Sequence, residues 1–416
     1  MITVGLDFGT HQTKVCIESK DGVELEYSFM KFEDTNHCRH YTLPSIIGVG
    51  KDDLLSYGYL PQSYDGTIIR YFKQSTFRPT HNSLSQMESM YFSTWYLAFI
   101  LFDLEGKYGQ EFTIQMGAPT DSSHVDLAKA ITTRIIVSAY RLVENVFANN
   151  KQAFLSTPKN KLKELTEIVP FSKEIKEEYG LLVFPEAYAC LKPLVSQGKL
   201  AAGMCLMVDI GGGTTDISFF TIEEGKPQVY DFYSINKGLN YLTDAYNGNK
   251  IGVDANVRDA SEINSYRRSA FISEVDHVCD VLKRKLQNEY KNQTKLDIQR
   301  LLDALNNRPL VYCGGGSTFN CLRVSYGGYR DHKQISHREW NSKSIKDMDE
   351  IIANELCPIL STAYGLSIST EDDNIIEKPL RDIFEKMRGA EELKKASRFG
   401  SAYGEFNYAD DWDAWK

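Results

Sequence analysis

Met207-Val208-Asp209-Ile210-Gly211-Gly212-Gly213-Thr214-Thr215-Asp216 runs an apolar segment into an Asp, three glycines, two threonines and a second Asp. The apolar residues 205–208 read as a buried strand and the glycines as a tight turn at its end. Near the start of the chain, apolar residues 2–6 lead into Asp7-Phe8-Gly9-Thr10 in the same way. A third unit follows apolar residues 310–313 with Gly314-Gly315-Gly316-Ser317-Thr318, without the Asp. Backbone N–H groups in such turns are donors suited to phosphate, and only glycine brings the backbone that close without a Cβ clash. Thr10, Thr13, Thr214 and Thr215 add hydroxyls beside the turns. Phosphate repels Asp7, Asp209 and Asp216, so these carboxylates call for a cation between them and the anion. Magnesium keeps several waters and takes one or two carboxylates plus phosphate oxygens, which suits Asp7 and Asp209. Two mirrored strand–Asp–Gly–Thr units predict two similar halves facing one cleft. Neither is a G-x-x-x-x-G-K-[ST] loop or a G-x-G-x-x-G fingerprint, which excludes a P-loop and disfavours a nicotinamide or flavin site.

Written out, DFGTHQTK (7–14), DIGGGTTD (209–216) and CGGGSTF (313–319) resemble the first phosphate, second phosphate and adenosine loops of the actin, sugar-kinase and heat-shock-chaperone ATPase superfamily. The nearest likeness is to the nucleotide-binding domain of DnaK-type chaperones, over about residues 2–367. Leu43-Pro44-Ser45-Ile46-Ile47 resembles that family's T-P-S stretch, and Gln115-Met116-Gly117-Ala118-Pro119 its strand ending in V-P-A. Pro185-Glu186-Ala187-Tyr188-Ala189 resembles its connecting helix, with the proline before the Glu instead of after it. Asp280-Val281-Leu282-Lys283-Arg284-Lys285-Leu286-Gln287 resembles the helix that clasps the adenosine.

The resemblance implies an α/β actin-like ATPase fold, two duplicated ribonuclease-H-like lobes with ATP or ADP and Mg2+ in the cleft between them. Carried over by position, Asp7 and Asp209 hold the metal through its waters, Glu186 polarises the attacking water, Lys73 meets the γ-phosphate, and Asp216 assists at the water or an accompanying cation. Gly9, Thr10, His11, Gln12 and Thr13, with Gly211, Gly212, Gly213, Thr214, Thr215 and Gly238, surround the phosphates. Gly315, Gly316 and Ser317 line the adenosine, with Asp280, Lys283, Arg284 and Gln287 above it. Phosphoryl transfer needs positioning and charge neutralisation more than covalent help, so one Lys, one carboxylate and one metal are a sufficient set. Taken alone, Lys73 also reads as a surface lysine, Glu186 as a helix N-terminal carboxylate and 280–287 as a solvated helix face. One departure stands out. The family usually has a second Thr after D-x-G-T, where this chain has His11, so its hydroxyl contact to the γ-phosphate is in question.

A chain of 416 residues, 42% hydrophobic, can bury more than one core. A net charge of −9 and the lack of a basic run with interleaved aromatics argue against nucleic acid. The eight cysteines form no C-x-x-C pair, and a reducing cytoplasm is expected. The N-terminus starts in a strand, so neither a signal peptide nor a membrane span is expected, the apolar run 95–102 being too short. His37-Cys38-Arg39-His40 has no partner motif and reads as a hairpin loop before a metal site.

The expected organisation is lobe I over 1–200, with a helical insertion at about 120–183; lobe II over 201–346, with a reduced upper part; a return helix at about 347–368; and a C-terminal helix with an acidic-aromatic end at 369–416. A hairpin at Asp21-Gly22, a helix over 88–105, a long helix over 125–149, two short helices over 159–179 split at Pro170, and a long helix over 261–292 complete the pattern. No apolar linker and β-rich peptide-binding domain follow residue 367. The main expectation is a stand-alone chaperone-like ATPase. Its nucleotide state would switch lobe closure and the binding of a protein partner, through the insertion or the tail. The alternative is an actin-like filament protein, suggested by the long 119–186 segment. A small-molecule kinase of the superfamily stands third, for want of a substrate-base signature.

Overall fold

The computed structural model describes residues 2–21, 24–77, 84–109, 111–119, 125–196, 205–223, 226–243, 259–293, 310–329, 332–336, 340, 345–346 and 348–370. Sheet I contains β1 (Ile2–Phe8), β2 (Gln12–Asp21), β3 (Glu24–Phe29), β4 (Phe112–Ala118) and β5 (Leu182–Pro185), in the order β5-β4-β1-β2-β3. Sheet II contains β6 (Cys205–Ile210), β7 (Thr215–Glu223), β8 (Lys226–Ile235), β9 (Leu310–Cys313) and β10 (His332–Gln334), in the order β10-β9-β6-β7-β8. The two orders are the same. In each, the first three strands are antiparallel neighbours, and the last two join parallel on the other side of the first. The duplication inferred from the turns is therefore a duplication of topology. Among the described residues, sheet I adds only Ile345–Lys346 beside β3 and Leu43–Pro44 beside the start of β2.

Both sheets are covered on both faces, which is why their central strands read as unbroken apolar runs. On the outer side of sheet I, Val4, Leu6 and Phe8 pack with α1 (Phe72–Phe77), α2 (Gln86–Tyr108) and α3 (Val125–Arg141). On the outer side of sheet II, Leu206, Val208 and Ile210 pack with Phe271, Val275 and Leu282 of α5 (Ser265–Gln293). Between the sheets lie α4 (Glu186–Ser196) and α6 (Glu350–Ser367). Their Cys190, Leu194, Leu360 and Ala363 join Cys16 and Phe29 of sheet I and Met207 and Val311 of sheet II in one central cluster. α4 carries the chain from lobe I into lobe II and α6 returns it.

The insertion adds to the core of lobe I. Phe154, Leu162 and Val169 are buried in that core, and the Trp95 indole donates to Thr166 Oγ1 at 2.7 Å. The expected long helix over 125–149 stops at Arg141, continues as one π turn over Leu142–Val146, and ends at Ala148 and Asn149, both at positive φ. The helix at 261–292 starts later, at Ser265, after a 3-10 turn over Ala260–Glu262. The hairpin is present as the pair Asp21–Glu24, with Gly22 outside the described residues. Phe32–Glu33 and Arg39–His40 pair as a hairpin, with His37 and Cys38 in its loop and Arg39 and His40 on its second strand. The C-terminal helix and acidic-aromatic end lie outside the described residues. No described helix is long and apolar enough to cross a membrane.

Near the C-terminal end of α2, Glu105 is 8% exposed, and neither carboxylate oxygen has a hydrogen-bond partner among the described residues. Burial, with the nearby Glu144 carboxylate, pushes its pKa from 4.5 up to about 7. A carboxyl raised on folding contributes stability that is intact below the unfolded value and is lost as pH rises through the folded one. Stability should therefore fall between about pH 4.5 and 7 on account of this group. Glu105→Gln is expected to stabilise the protein by about 1 kcal/mol at pH 8 and to do little at pH 4. Urea unfolding at the two pH values checks this, and equal effects at both would contradict it.

Candidate functional site

The first turn, at the end of β1, is pinned from outside. Ser45 donates its hydroxyl to the Gly9 carbonyl at 2.7 Å, and its N–H to the His11 carbonyl at 2.8 Å. This gives the Leu43-Pro44-Ser45 stretch a structural task. The second turn, after β6, is pinned from behind. Leu239 and Asn240, at the start of the short helix Leu239–Leu242, donate to the carbonyls of Gly211 and Gly212. The third turn follows β9; Gly314 adopts φ +78°, and its N–H reaches the Pro358 carbonyl of α6 at 3.0 Å. A side chain at Gly314 would place Cβ 2.2 Å from Asp209 Oδ1, so glycine lets this turn close against the acid.

The duplicated hairpins differ at one pair of matched positions. Across β1 and β2, Asp7 stands opposite Lys14; across β6 and β7, Asp209 stands opposite Asp216. Lys14 Nζ donates to Asp7 Oδ2 at 2.7 Å, a nearly buried ion pair. Lobe II has a carboxylate where lobe I has that ammonium. Burial first, then Asp216, Glu186 and Asp7, push the Asp209 carboxyl up to about 7. Lobe I thus sets an ammonium opposite its acid, and lobe II sets a second acid there.

α1 and α4 bring the remaining charges. Phe72 and Lys73 of α1 are both buried, and Lys73 Nζ meets Glu186 Oε1 at 2.5 Å. Burial alone would lower the Lys73 pKa, but the Glu186, Asp7 and Asp216 carboxylates outweigh it and hold the ammonium above the usual lysine range. Glu186 is the first residue of α4, directly after Pro185 ends β5, and Gly117 leaves it room: a Cβ there would lie 2.9 Å from Glu186 Cγ.

These groups surround one cavity of about 480 Å³ between the lobes. Of the residues expected at the site, Asp7, Gly9, Thr10, His11, Gln12, Lys73, Glu186, Asp209, Gly211, Gly212, Thr214, Asp216 and Gly315 line it. Lys14 lines it too and was not singled out; its place seven residues after Asp7, on the returning strand, was the available signal. Pro44, Tyr59, Leu239, Phe319, Pro358 and Ile359 add a less polar end.

Other expected residues stand away from the cavity wall. Thr13 is fully buried, its hydroxyl 3.3 Å from that of Ser45, and Thr215 donates to the Lys237 carbonyl at 2.8 Å. Gly213 lies against Thr10 and Gln74, and Gly238 backs Gly211 and Gly212, where a Cβ would come within 2.5 Å of the Gly211 carbonyl oxygen. Gly316 packs on Ile210, and Ser317 donates its hydroxyl to Gly314 O at 2.8 Å. These six support the turns from behind. None of Asp280, Lys283, Arg284 and Gln287, on α5, lines the cavity. Lys283 is buried; its ammonium donates to the Gly327 carbonyl and lies 4.9 Å from the Tyr329 ring centre. Asp280 and Arg284 are exposed, with Arg284 Nε bonded to the Asp280 carbonyl. α5 thus turns Lys283 into lobe II and Asp280 and Arg284 to solvent.

Two lobes of one topology, each with an Asp-bearing turn aimed at the cleft between them, define the architecture. The fold is the two-lobed α/β one expected, with the same strand order in both sheets. No protein-family model matches the sequence, and none of the curated proteins does. Among solved structures, the chain is similar to MreB5 of Spiroplasma citri bound to ADP, at 12% identity and a TM-score of 0.44, over 93% of this chain and 98% of that one. The same protein bound to AMPPNP is similar at 13% identity and a TM-score of 0.42, over 95% and 98%. The ethanolamine utilization protein EutJ from Carboxydothermus hydrogenoformans is similar at 14% identity and a TM-score of 0.33, over 88% and 89%.

Proposed function

We propose that the protein binds ATP and ADP in the cleft and hydrolyses ATP slowly, and that nucleotide state sets the separation of its lobes. The observation that carries this reading is the convergence of both Asp–Gly–Thr turns, Lys73 and Glu186 on one cavity. Thr10, Gln12, Gly211, Gly212 and Thr214 offer donors to a polyphosphate, and Leu239, Phe319, Pro358 and Ile359 an apolar seat for a base. Lys73 neutralises the terminal phosphate, and Glu186 orients the attacking water and accepts its proton. The residues suit magnesium held through its own waters. Asp7 and Asp209 both line the cavity, while among the described residues no three side chains converge to cage a cation directly. Asp7 and Asp209 would hold it, and its charge would offset that of the phosphates.

For the output, assembly of like copies stands ahead of a chaperone cycle, which draws nothing from the fold. In sheet II, β8 pairs only with β7 among the described residues, and its Tyr233 is 50% exposed. Such an outer strand can pair with a second chain, and a head-to-tail contact that does not close grows into a filament. Sedimentation and light scattering with Mg2+ and ATP, ADP or no nucleotide test this reading, with a pellet expected only with ATP. No pellet at high protein concentration removes assembly. No heat on calorimetric titration with Mg2+ and either nucleotide removes the nucleotide site itself.

A further inference from the structure

Asp7 and Asp209 occupy matched places in the two sheets, but they are held differently. Lys14 fixes the Asp7 carboxylate with an ammonium. Across its own hairpin Asp209 faces Asp216, which when ionised repels it and has no proton to donate. The donor comes from the other side. β6 runs parallel to β9, with Cys313 in register with Asp209. Alternate residues of a strand face opposite sides. Leu206, Val208, Ile210, Leu310 and Tyr312 pack in the core of lobe II, whereas Met207, Val311 and Cys313 join the central cluster with α4 and α6. Asp209 therefore shares a face with Cys313, and the two side chains are hydrogen-bonded. At the next residue, Gly314, a Cβ would lie 2.2 Å from Asp209 Oδ1, so the carboxylate lies across the end of β9. The row continues into the helices. Cys313 is also hydrogen-bonded to Cys190 of α4, and Cys190 Sγ lies 3.5 Å from Ser361 Oγ of α6. Cys190, Cys313 and Ser361 are fully buried.

We infer that Cys313 is a positioning residue: its thiol holds the Asp209 carboxylate at the cleft, and Cys190 and Ser361 hold the thiol from the two helices that join the lobes. The inference rests on the nucleotide reading above, with Asp209 as a holder of the cation. An ionised carboxylate only accepts, so Cys313 is the donor. A thiol suits the place because it packs as a small hydrophobe and still has an S–H to give. Unlike the Lys14 ammonium, it fixes the acid without cancelling its charge. Glu186 and Cys190 lie four residues apart on α4, which puts them on one face of that helix. α4 thus presents Glu186 to the cavity and, one turn later, Cys190 to the thiol behind Asp209. The acid that faces the water and the acid that faces the cation are set from one helix.

Calorimetric affinities of the full chain for ADP, with Mg2+ and with EDTA in its place, test the assignment in wild type, Cys313→Ala and Cys313→Ser. The quantity read is the factor by which Mg2+ strengthens ADP binding. Cys313→Ala should cut that factor at least ~5-fold and leave the affinity in EDTA within ~3-fold of wild type, as loss of one hydrogen bond to a charged group predicts. Cys313→Ser keeps a donor and should restore most of the factor. Both variants leave a similar gap in the packing, so a purely structural role would move them together and would move the affinity in EDTA as well. That result, or an unchanged factor in Cys313→Ala, overturns the inference. In an Asp209→Asn background, Cys313→Ala should change the factor less than ~2-fold, because the thiol then has no carboxylate to hold. A further loss there as large as in wild type also overturns it. A wild-type protein that binds no ADP overturns the nucleotide reading, and one whose ADP affinity is indifferent to Mg2+ overturns Asp209 as the holder of the cation; this inference falls with either.

Discussion

Glu186→Gln is expected to slow ATP turnover about 10²–10³-fold while leaving ADP affinity within about 3-fold of wild type, as loss of a positioned base predicts. The amide keeps the shape of the side chain and can still accept from Lys73, so folding should change little. Lys73→Met is the informative partner. It removes one of two lysines on the cavity wall and leaves Asp7, Glu186, Asp209 and Asp216 facing Lys14. Breaking a buried pair from one side costs about 3–5 kcal/mol, because the remaining charge has lost its counterion. Glu186 keeps some exposure, with 17% of its side chain accessible, so the lower end of that range applies. Lys73→Met should therefore lose both turnover and stability. Steady-state ATP hydrolysis and thermal melts from pH 5 to 8 separate the two effects. If Glu186→Gln turns over ATP at the wild-type rate, Glu186 is only the structural partner of Lys73.

The chemistry of the cleft was legible where residue type alone fixes position. An Asp, then glycines, after an apolar run can do little but turn at the end of a buried strand, so both glycine turns, their strands and the duplication could be read directly. Glu186 was placed at the cleft by the likeness of Pro185-Glu186-Ala187-Tyr188-Ala189 to the family's connecting helix. The packing of the α5 group was not legible. Its charged pattern fits a helix above a nucleotide and a helix against its own lobe equally well. What decides is that Lys283 finds the Gly327 carbonyl and the Tyr329 ring, partners over forty residues away in sequence. Thr13 and Thr215 fail for a related reason. In a strand, alternate side chains face opposite sides, and one position separates the cleft from the core. Lys14 was overlooked because its meaning lies in cross-strand register, where it stands opposite Asp7. The same register at Asp216 makes the two lobes electrostatically unlike. Duplication gave the fold its symmetry, and a change of charge at one matched position broke it, leaving lobe II with two facing acids.

A second large effect is expected far from any charge, where α4 and α6 cross. A Cβ at Gly365 of α6 would lie 1.8 Å from the Ala189 carbonyl oxygen of α4 and 2.8 Å from its carbonyl carbon. These are backbone atoms, so no side chain can rotate away. α6 is held on its other side as well, where a Cβ at Gly5 of β1 would meet Ser367 N at 2.2 Å. With sheet I below and α4 beside it, α6 cannot shift without opening the central cluster that joins the two sheets. Gly365→Ala is therefore expected to destabilise the protein by about 3 kcal/mol, at the upper end of ordinary overpacking. Gly106→Ala provides the contrast. It also lies within a helix, α2, but nothing stands within 4 Å of its added Cβ. Replacing a helical glycine by alanine at an open site should stabilise by about 0.5–1 kcal/mol. Denaturant unfolding of the two variants should move in opposite directions, and equal small shifts would show that the crossing tolerates a methyl group. Because α4 and α6 are the links between lobes, Gly365→Ala should also alter how nucleotide binding changes the protein's overall dimensions, measured by small-angle scattering with and without Mg2+ and ADP. If stability falls while that response stays wild-type, α4 and α6 hold the lobes together without governing how they close.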